Sequence, residues 1–270
     1  MPRAGVSGKF RQIAGLSLCY DRPMTDRPRL RLFVPADLAA DADLALGKEQ
    51  SHYLANVMRA KAGEAVLLFN GRDGEWLAEV TQAAKSAVRL AVRHRTRPQA
   101  AEPDLWLLAA PLKKDNTDLV AEKAAELGAS ALWPVFTRRT VAARVNAERL
   151  RAHLAEAAEQ CERLTVPDLK EPAPLERVLA GWDPARTLLF LDESGRGAPL
   201  AGAVPAGLLA ILVGPEGGFA PEERALLAAC PFARPVSLGP RILRAETAAI
   251  AALAVVQAVA GDWRTPPRGA

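Results

Sequence analysis

Leu208–Cys230, LLAILVGPEGGFAPEERALLAAC, and Val236–Gln257, VSLGPRILRAETAAIAALAVVQ, decide the fold, because each passes from a strand-like run through a glycine-bearing loop into a helix. Leu208 to Val213 is a short apolar run of the kind that forms a buried strand. It breaks at Gly214, Pro215, Gly217 and Gly218, residues that punctuate regular structure. Pro221 suits the first helical turn, where its missing N–H costs nothing, and Glu222 and Glu223 favour the positive end of the helix dipole. The second unit repeats the plan, with Gly239 and Pro240 after the strand and Glu246 early in the helix. Two such units in tandem place two loops at the carboxyl edge of a sheet, where open α/β folds bind ligands. The closing helix, Ala248 to Ala260, is apolar nearly all round, which predicts burial in the core or across a subunit interface.

Outward from this stretch the alternation continues. Leu105–Ala109, Ala131–Phe136 and Leu188–Leu191 read as strands, Thr117–Leu127 as a helix closed by Gly128, and Ala147–Arg163 as a helix. Strands alternating with helices predict an α/β domain over residues 100–265, a parallel sheet with helices on both faces. Arg93–Pro103, rich in arginine and holding two prolines, reads as the linker before it. Residues 24–95 are mostly β, with strands expected at Leu30–Val34, Ala65–Phe69, Glu75–Val80 and Ala87–Val92. Asn70-Gly71 and Asp73-Gly74 mark a turn, and Lys48–Met58 is the one clear helix. Several short strands with one helix suggest a small barrel of the kind that serves as an RNA-binding module. Residues 1–23 lack periodicity and read as a disordered or mis-assigned extension before Met24.

Half of the 270 residues are hydrophobic, yet no apolar run reaches the ~20 residues of a membrane span. The three cysteines, Cys19, Cys161 and Cys230, show neither CxxC nor metal-ligand spacing, which points to a reduced, cytoplasmic compartment and no metal centre. Cys161 reads as buried packing rather than a nucleophile. The net charge of +4 is modest, but its distribution is uneven. Arg89, Arg93, His94, Arg95 and Arg97 crowd one segment, Arg138, Arg139, Arg144, Arg149 and Arg151 another, and Lys113 and Lys114 form a third cluster. Arginine's planar fork suits phosphate, so these clusters suggest a polyanionic partner.

The first loop is neither GxGxxG nor a Walker sequence, and Glu216 within it would repel a pyrophosphate. A neutral or cationic ligand held by backbone groups fits better. In the second loop Arg241, Arg244, Glu246 and Thr247 lie within seven positions. They form either an ion pair capping the helix or a patch of positive charge set against a reacting base. A phosphorylated-nucleotide enzyme and a non-catalytic RNA-binding, ribosome-assembly protein are the competing readings.

VGPEGGFAPEE at Val213–Glu223 and LGPRILRAETA at Leu238–Ala248 together resemble the 16S ribosomal RNA uridine-N3 methyltransferase family of the SPOUT superfamily. The resemblance extends to RLFVPADL at Arg31–Leu38 and to His52–Val80, both similar to that family's N-terminal PUA-like barrel. It continues through Leu112–Thr140 and AAEQCERLTVP at Ala157–Pro167, and spans roughly Arg29 to Trp263. Glu162 departs from it, standing where the family usually has glycine. The resemblance implies a PUA-like RNA-binding barrel over 24–95 and a SPOUT domain with a trefoil knot over 100–265. It also implies S-adenosylmethionine as methyl donor, a homodimer, and 16S ribosomal RNA or the assembled small subunit as partner. Cofactor contacts are then expected at Val213, Gly214, Glu216, Gly217, Gly218, Leu238, Gly239, Ile242, Leu243 and Thr247. Arg244 is the expected stabiliser of charge on the uridine, with Glu246 orienting it or taking the proton. RNA contacts are expected at Arg31, His52, Arg59, Lys113 and Arg163.

Overall fold

The computed structural model describes residues 28–84 and 87–265; the expected extension at 1–23 lies outside them. The N-terminal part contains β1 (Leu30–Phe33), β2 (Asp43–Ala45), α1 (Lys48–His52), β3 (Ala65–Phe69), β4 (Glu75–Ala84) and β5 (Ala87–Arg97). Its sheet runs β1-β3-β4-β5-β2, with β1 parallel to β3 and the remaining pairs antiparallel. Leu32, Val66, Leu68, Val80, Leu90 and Val92 pack with Leu54 into one core. Gly71 and Gly74 turn the chain between β3 and β4 at φ of 82° and 85°, a conformation glycine adopts without strain.

Two sequence expectations change here. β5 continues through Arg97, so the linker starts later than Arg93: Arg95 pairs with Trp76 and Arg97 with Glu75. A strand tolerates charge on its exposed face, so a run of arginines is no break signal. The helix from Lys48 widens into a π turn at Tyr53–Val57, in which the Met58 N–H reaches the Tyr53 carbonyl at 3.0 Å. That turn buries Leu54 and leaves Tyr53, Val57 and Met58 exposed.

The second domain follows as β6 (Leu105–Ala109), α2 (Lys114–Glu126), β7 (Ala131–Phe136), α3 (Ala147–Gln160), β8 (Asp168–Leu169), β9 (Ala173–Pro174) and α4 (Leu175–Ala180). It ends with β10 (Thr187–Leu191), β11 (Ala198–Pro199), α5 (Leu200–Ala203), β12 (Leu209–Val213), α6 (Pro221–Ala229), β13 (Ala233–Ser237) and α7 (Ala245–Ala260). The sheet order is β11-β13-β10-β12-β6-β7-β8, parallel throughout. Side chains alternate in direction along a strand, and on β12 both directions are buried. Leu209, Ile211 and Val213 meet α2, α3 and α7, while Ala210 and Leu212 meet α4 and α6. Each fully buried Leu or Ile contributes roughly 1.5–3 kcal/mol, which makes the central strands the anchor for the loops that leave them.

The two domains meet through arginines. Arg31 donates to Glu75 at 2.9 Å and to the Ala158 carbonyl at 2.7 Å, and also to the Arg163 carbonyl. Arg97 donates to Glu75 and, at 3.0 Å, to the Glu162 carbonyl. Burial alone would raise the Glu75 carboxyl, but the hydrogen bonds from Arg97 and Arg31 outweigh it and hold the group below its ordinary value. Arg163 donates to the Ala125 and Ala129 carbonyls at 2.7 and 2.9 Å and also binds Glu102. The expected RNA contacts Arg31 and Arg163 are instead engaged within the protein: both side chains are only 7% exposed, Arg31 reaching across to the second domain and Arg163 bonding inside it. Glu162, in place of the resembled family's glycine, takes φ of 63° and keeps the left-handed turn between these groups, at a cost of roughly 1–2 kcal/mol.

Candidate active site

The C-terminal ends of β10, β12 and β13 open into a cleft of about 460 Å³, built by three loops. After β10, Asp192 closes its own turn by accepting from the Ser194 N–H at 3.0 Å and its hydroxyl at 2.6 Å. After β12, Pro215–Gly218 forms a turn in which the Gly218 N–H donates to the Pro215 carbonyl at 2.9 Å. Gly218 has φ of 65°, and a Cβ there would lie 2.2 Å from Glu193 Oε1. Absence of a side chain is what lets the Glu193 carboxylate approach this loop. Arg224 holds that carboxylate from the other side at 3.2 Å. After β13, Gly239 turns the chain at φ of 101°, its N–H donating to the Ser237 hydroxyl at 3.2 Å. Arg244 then occupies the N-cap of α7.

Most of the expected cofactor residues share this cleft. Val213, Gly214, Glu216, Gly218, Leu238, Gly239, Ile242 and Leu243 line it, and so does Arg244. Gly217 does not: its carbonyl accepts from Arg139 at 2.8 Å, and a Cβ would rest 3.5 Å from the Arg139 side chain, away from the cleft. Thr247 is exposed on the first turn of α7, outside the cleft wall. Glu246 is buried and also outside the wall; among the described residues neither Arg241 nor Arg244 pairs with it. The ion-pair reading of that loop is thereby removed. His52, Arg59 and Lys113 are exposed, as an RNA contact requires.

Sequence reasoning missed the third loop and the bracing role of Glu223. Asp192, Glu193 and Gly195 line the cleft beside the residues of the other two loops. Their signal was LDESG, a polar stretch with glycine directly after an apolar strand, the same grammar as the two loops that were noticed. Glu223 was expected only at a helix dipole. Its buried carboxylate in fact accepts from the Ala220 N–H at 2.8 Å and the Arg138 N–H at 2.7 Å, tying α6 to the loop after β7.

The cleft's volume falls within the roughly 300–1,000 Å³ usual for small-molecule sites. Its wall carries Asp192, Glu193 and Glu216 against Arg241 and Arg244, so it offers no surplus of positive charge to a polyphosphate. Val213, Leu238, Ile242 and Leu243 supply apolar surface for a flat base. A ligand with an adenine and a cationic sulfonium, and no phosphate, matches that set; S-adenosylmethionine has this composition.

Known proteins agree with the geometry. Residues 100–257 match the family model of an RNA methyltransferase domain, and residues 46–92 that of an RNA methyltransferase PUA domain. The chain is 33% identical over 232 residues to a ribosomal RNA small subunit methyltransferase E from Rickettsia conorii, covering 84% of this chain and 94% of that one. A protein of the same name from Synechocystis sp. is 32% identical, with 85% and 77% covered. The crystal structure of a ribosomal RNA small subunit methyltransferase E from Neisseria gonorrhoeae, bound to S-adenosyl methionine, superposes with a TM-score of 0.79 at 28% identity. That match covers 87% of this chain and 99% of the other.

Proposed function

Because the chain belongs to the ribosomal RNA small subunit methyltransferase E family, we propose that it transfers the methyl group of S-adenosylmethionine to N3 of a uridine in 16S ribosomal RNA. The observation that supports this most is the three-loop cleft, whose mixed charge and apolar walls suit that cofactor. S-adenosylmethionine, when bound, supplies an electrophilic methyl group on a sulfonium. Val213, Gly214, Gly218, Leu238, Gly239 and Leu243 would hold it, and Asp192, Glu193 and Glu216 in the same wall would offer negative charge to its cationic parts. A uridine inside a helix hides N3 in its pairing edge, so the base must turn out of its stack to react. N3 is a weak acid, and it becomes nucleophilic as negative charge develops on the imide. Arg244 lines the cleft with an exposed side chain that no described carboxylate neutralises, which suits it to stabilise that charge. Glu246, buried in the first turn of α7 and outside the cleft wall, favours the positive end of that helix.

The same reading includes a trefoil knot, a homodimer and a cytoplasmic site of action. Knotting is consistent with α7 packing back across β12 and β6 after the chain has passed through β13. Dimerisation is consistent with the face of α7 that bears Ile250, Ala251 and Ala254, which its own domain only half covers. Among the described residues no helix is long and apolar enough to cross a membrane. The test of the activity is transfer of labelled methyl to small ribosomal subunits, or their RNA, lacking the modification, followed by mapping of the modified base. A label on N3 of one uridine is expected; no transfer, or a label on another atom, overturns the reading.

A further inference from the structure

A second cleft, of about 400 Å³, opens at the same edge of the parallel sheet, one strand beyond the first. It lies between the loops that follow β6 and β7. β6 and β12 are hydrogen-bonded neighbours whose ends, Ala109 and Val213, are in register, and the Ala110 N–H donates to the Val213 carbonyl at 3.0 Å. The chain therefore enters the second cleft at Pro111 directly beside the point where Gly214 enters the first. Outside both walls, Arg139 ties the loop after β7 to the loop after β12 through its 2.8 Å bond to the Gly217 carbonyl. At about 4.8 Å between strands, cleft centres two to three strands apart are roughly 10–15 Å from each other.

The second cleft combines two kinds of wall. Leu112, Val141 and Val145 give it apolar surface, and Val141 is 83% exposed. Lys113 and Arg144 are exposed on its rim, and among the described residues no carboxylate pairs with either. Its one acid, Asp118, is already compensated, because Arg149 donates to both carboxylate oxygens at 3.0 and 2.9 Å through Nε. The cleft is thus net cationic with apolar side chains beside the charges, a combination that can hold a phosphodiester by charge and present an apolar contact to its neighbouring nucleoside.

Resting on the methyltransferase reading, we propose that this cleft binds the single-stranded RNA next to the target uridine. Lys113 and Arg144 hold its backbone phosphates, and Val141 contacts a flanking nucleoside. The clefts' spacing lets a short run of backbone bridge from the uridine in the first to its neighbours in the second. The structure thereby assigns Arg144 and Val141, as well as Lys113, to substrate recognition rather than to chemistry.

The experiment is steady-state methyl transfer to unmodified small ribosomal subunits by the full chain carrying Lys113→Glu and Arg144→Glu together. A parallel variant carries Arg177→Glu and Arg234→Glu, exposed arginines outside the walls of both clefts that change the net charge equally. The first variant should raise KM at least about tenfold and flatten the dependence of log KM on log salt by about two units, as expected for two lost phosphate contacts. Its dissociation constant for S-adenosylmethionine, measured by calorimetry, should match the wild type, which shows the fold and the first cleft intact. An unchanged KM, or an equal rise in both variants, overturns the proposal. Absence of methyl transfer by the wild-type protein would instead overturn the functional reading. In that event, binding of a fluorescein-labelled single-stranded oligoribonucleotide by anisotropy, weakened in the first variant only or in neither, decides on the cleft alone.

Discussion

Arg244 and Gly218 serve the cleft in opposite ways, one by what it presents and the other by what it lacks. Arg244→Ala should lower methyl transfer by about 10²–10³, the usual loss on removing one preorganised charge-stabilising donor, while calorimetry finds cofactor affinity within a few-fold of wild type. A variant with wild-type turnover would end the assignment. Gly218→Val places a branched side chain at φ of 65° and drives it into Glu193, so cofactor affinity should fall at least about tenfold. Gly217→Val, facing Arg139 instead, should bind the cofactor nearly as well as wild type. Equal losses in the two would show that the loop's glycines are interchangeable. The sequence alone announces a glycine-rich ligand loop here, but which glycine touches the ligand depends on backbone angles that adjacent, identical residues do not reveal.

Among elements, the longer strands and helices of the sheet domain were legible from their apolar runs, whereas the two-residue strands β8, β9 and β11 and the short helices α4 and α5 carry too few residues to show a period. The arginine-rich clusters were legible only as charge. Much of that charge is spent internally: Arg93 pairs with Glu79 at 2.8 Å, Arg149 with Asp118 and Arg97 with Glu75, all across neighbouring elements. A polyanion would therefore meet fewer free cations than the count of arginines implies. Glu223 shows the same limit from the acidic side, since its second partner is 85 residues away in sequence. Glu223→Ala should leave the Ala220 and Arg138 N–H groups without their acceptor at a cost of about 1–3 kcal/mol. Thermal unfolding should then occur several degrees lower, with cofactor binding weakened because the loop before α6 loses its brace. An unchanged melting temperature would mean that solvent replaces the carboxylate without loss.

The molecule as a whole depends on how its two domains are joined. Arg31, Glu75, Arg97 and Arg163 make that junction, and Glu159 adds a pH-sensitive contact by accepting from the Phe33 N–H at 2.9 Å. Burial pushes the Glu159 carboxyl up to about 7, with the charge of Glu156 adding to the rise and the Phe33 N–H and Arg31 opposing it. Between its ordinary value of 4.5 and about 7 the folded chain keeps a proton that the unfolded chain releases. Stability from this group is thus present below that window and falls as pH climbs through it. Glu159→Gln keeps an acceptor and removes the titration, so its melting temperature should gain on the wild type between about pH 5.5 and about pH 8. Parallel melting curves across that range would exclude Glu159 as a titrating group of the junction.

The order of strands and helices, the two domains, the carboxyl-edge loops and the kind of ligand they suit were determined by the sequence itself. Local periodicity, glycine placement and the charge of Glu216 act over a few residues and are read directly from them. Tertiary structure alone decided which residues line the cleft and which hold the frame. Arg31, an expected RNA contact, lies buried in the domain junction, Arg163 is buried among carbonyls of its own domain, and Gly217 turned away while Glu193 turned in. Whether a charged group is free or satisfied depends on partners brought from far along the chain, and parallel packing brings the loop after β10 beside those after β12 and β13. Val213–Gly218 and Leu238–Arg244 supply two of the loops that line the cleft, and the loop after β10 completes it.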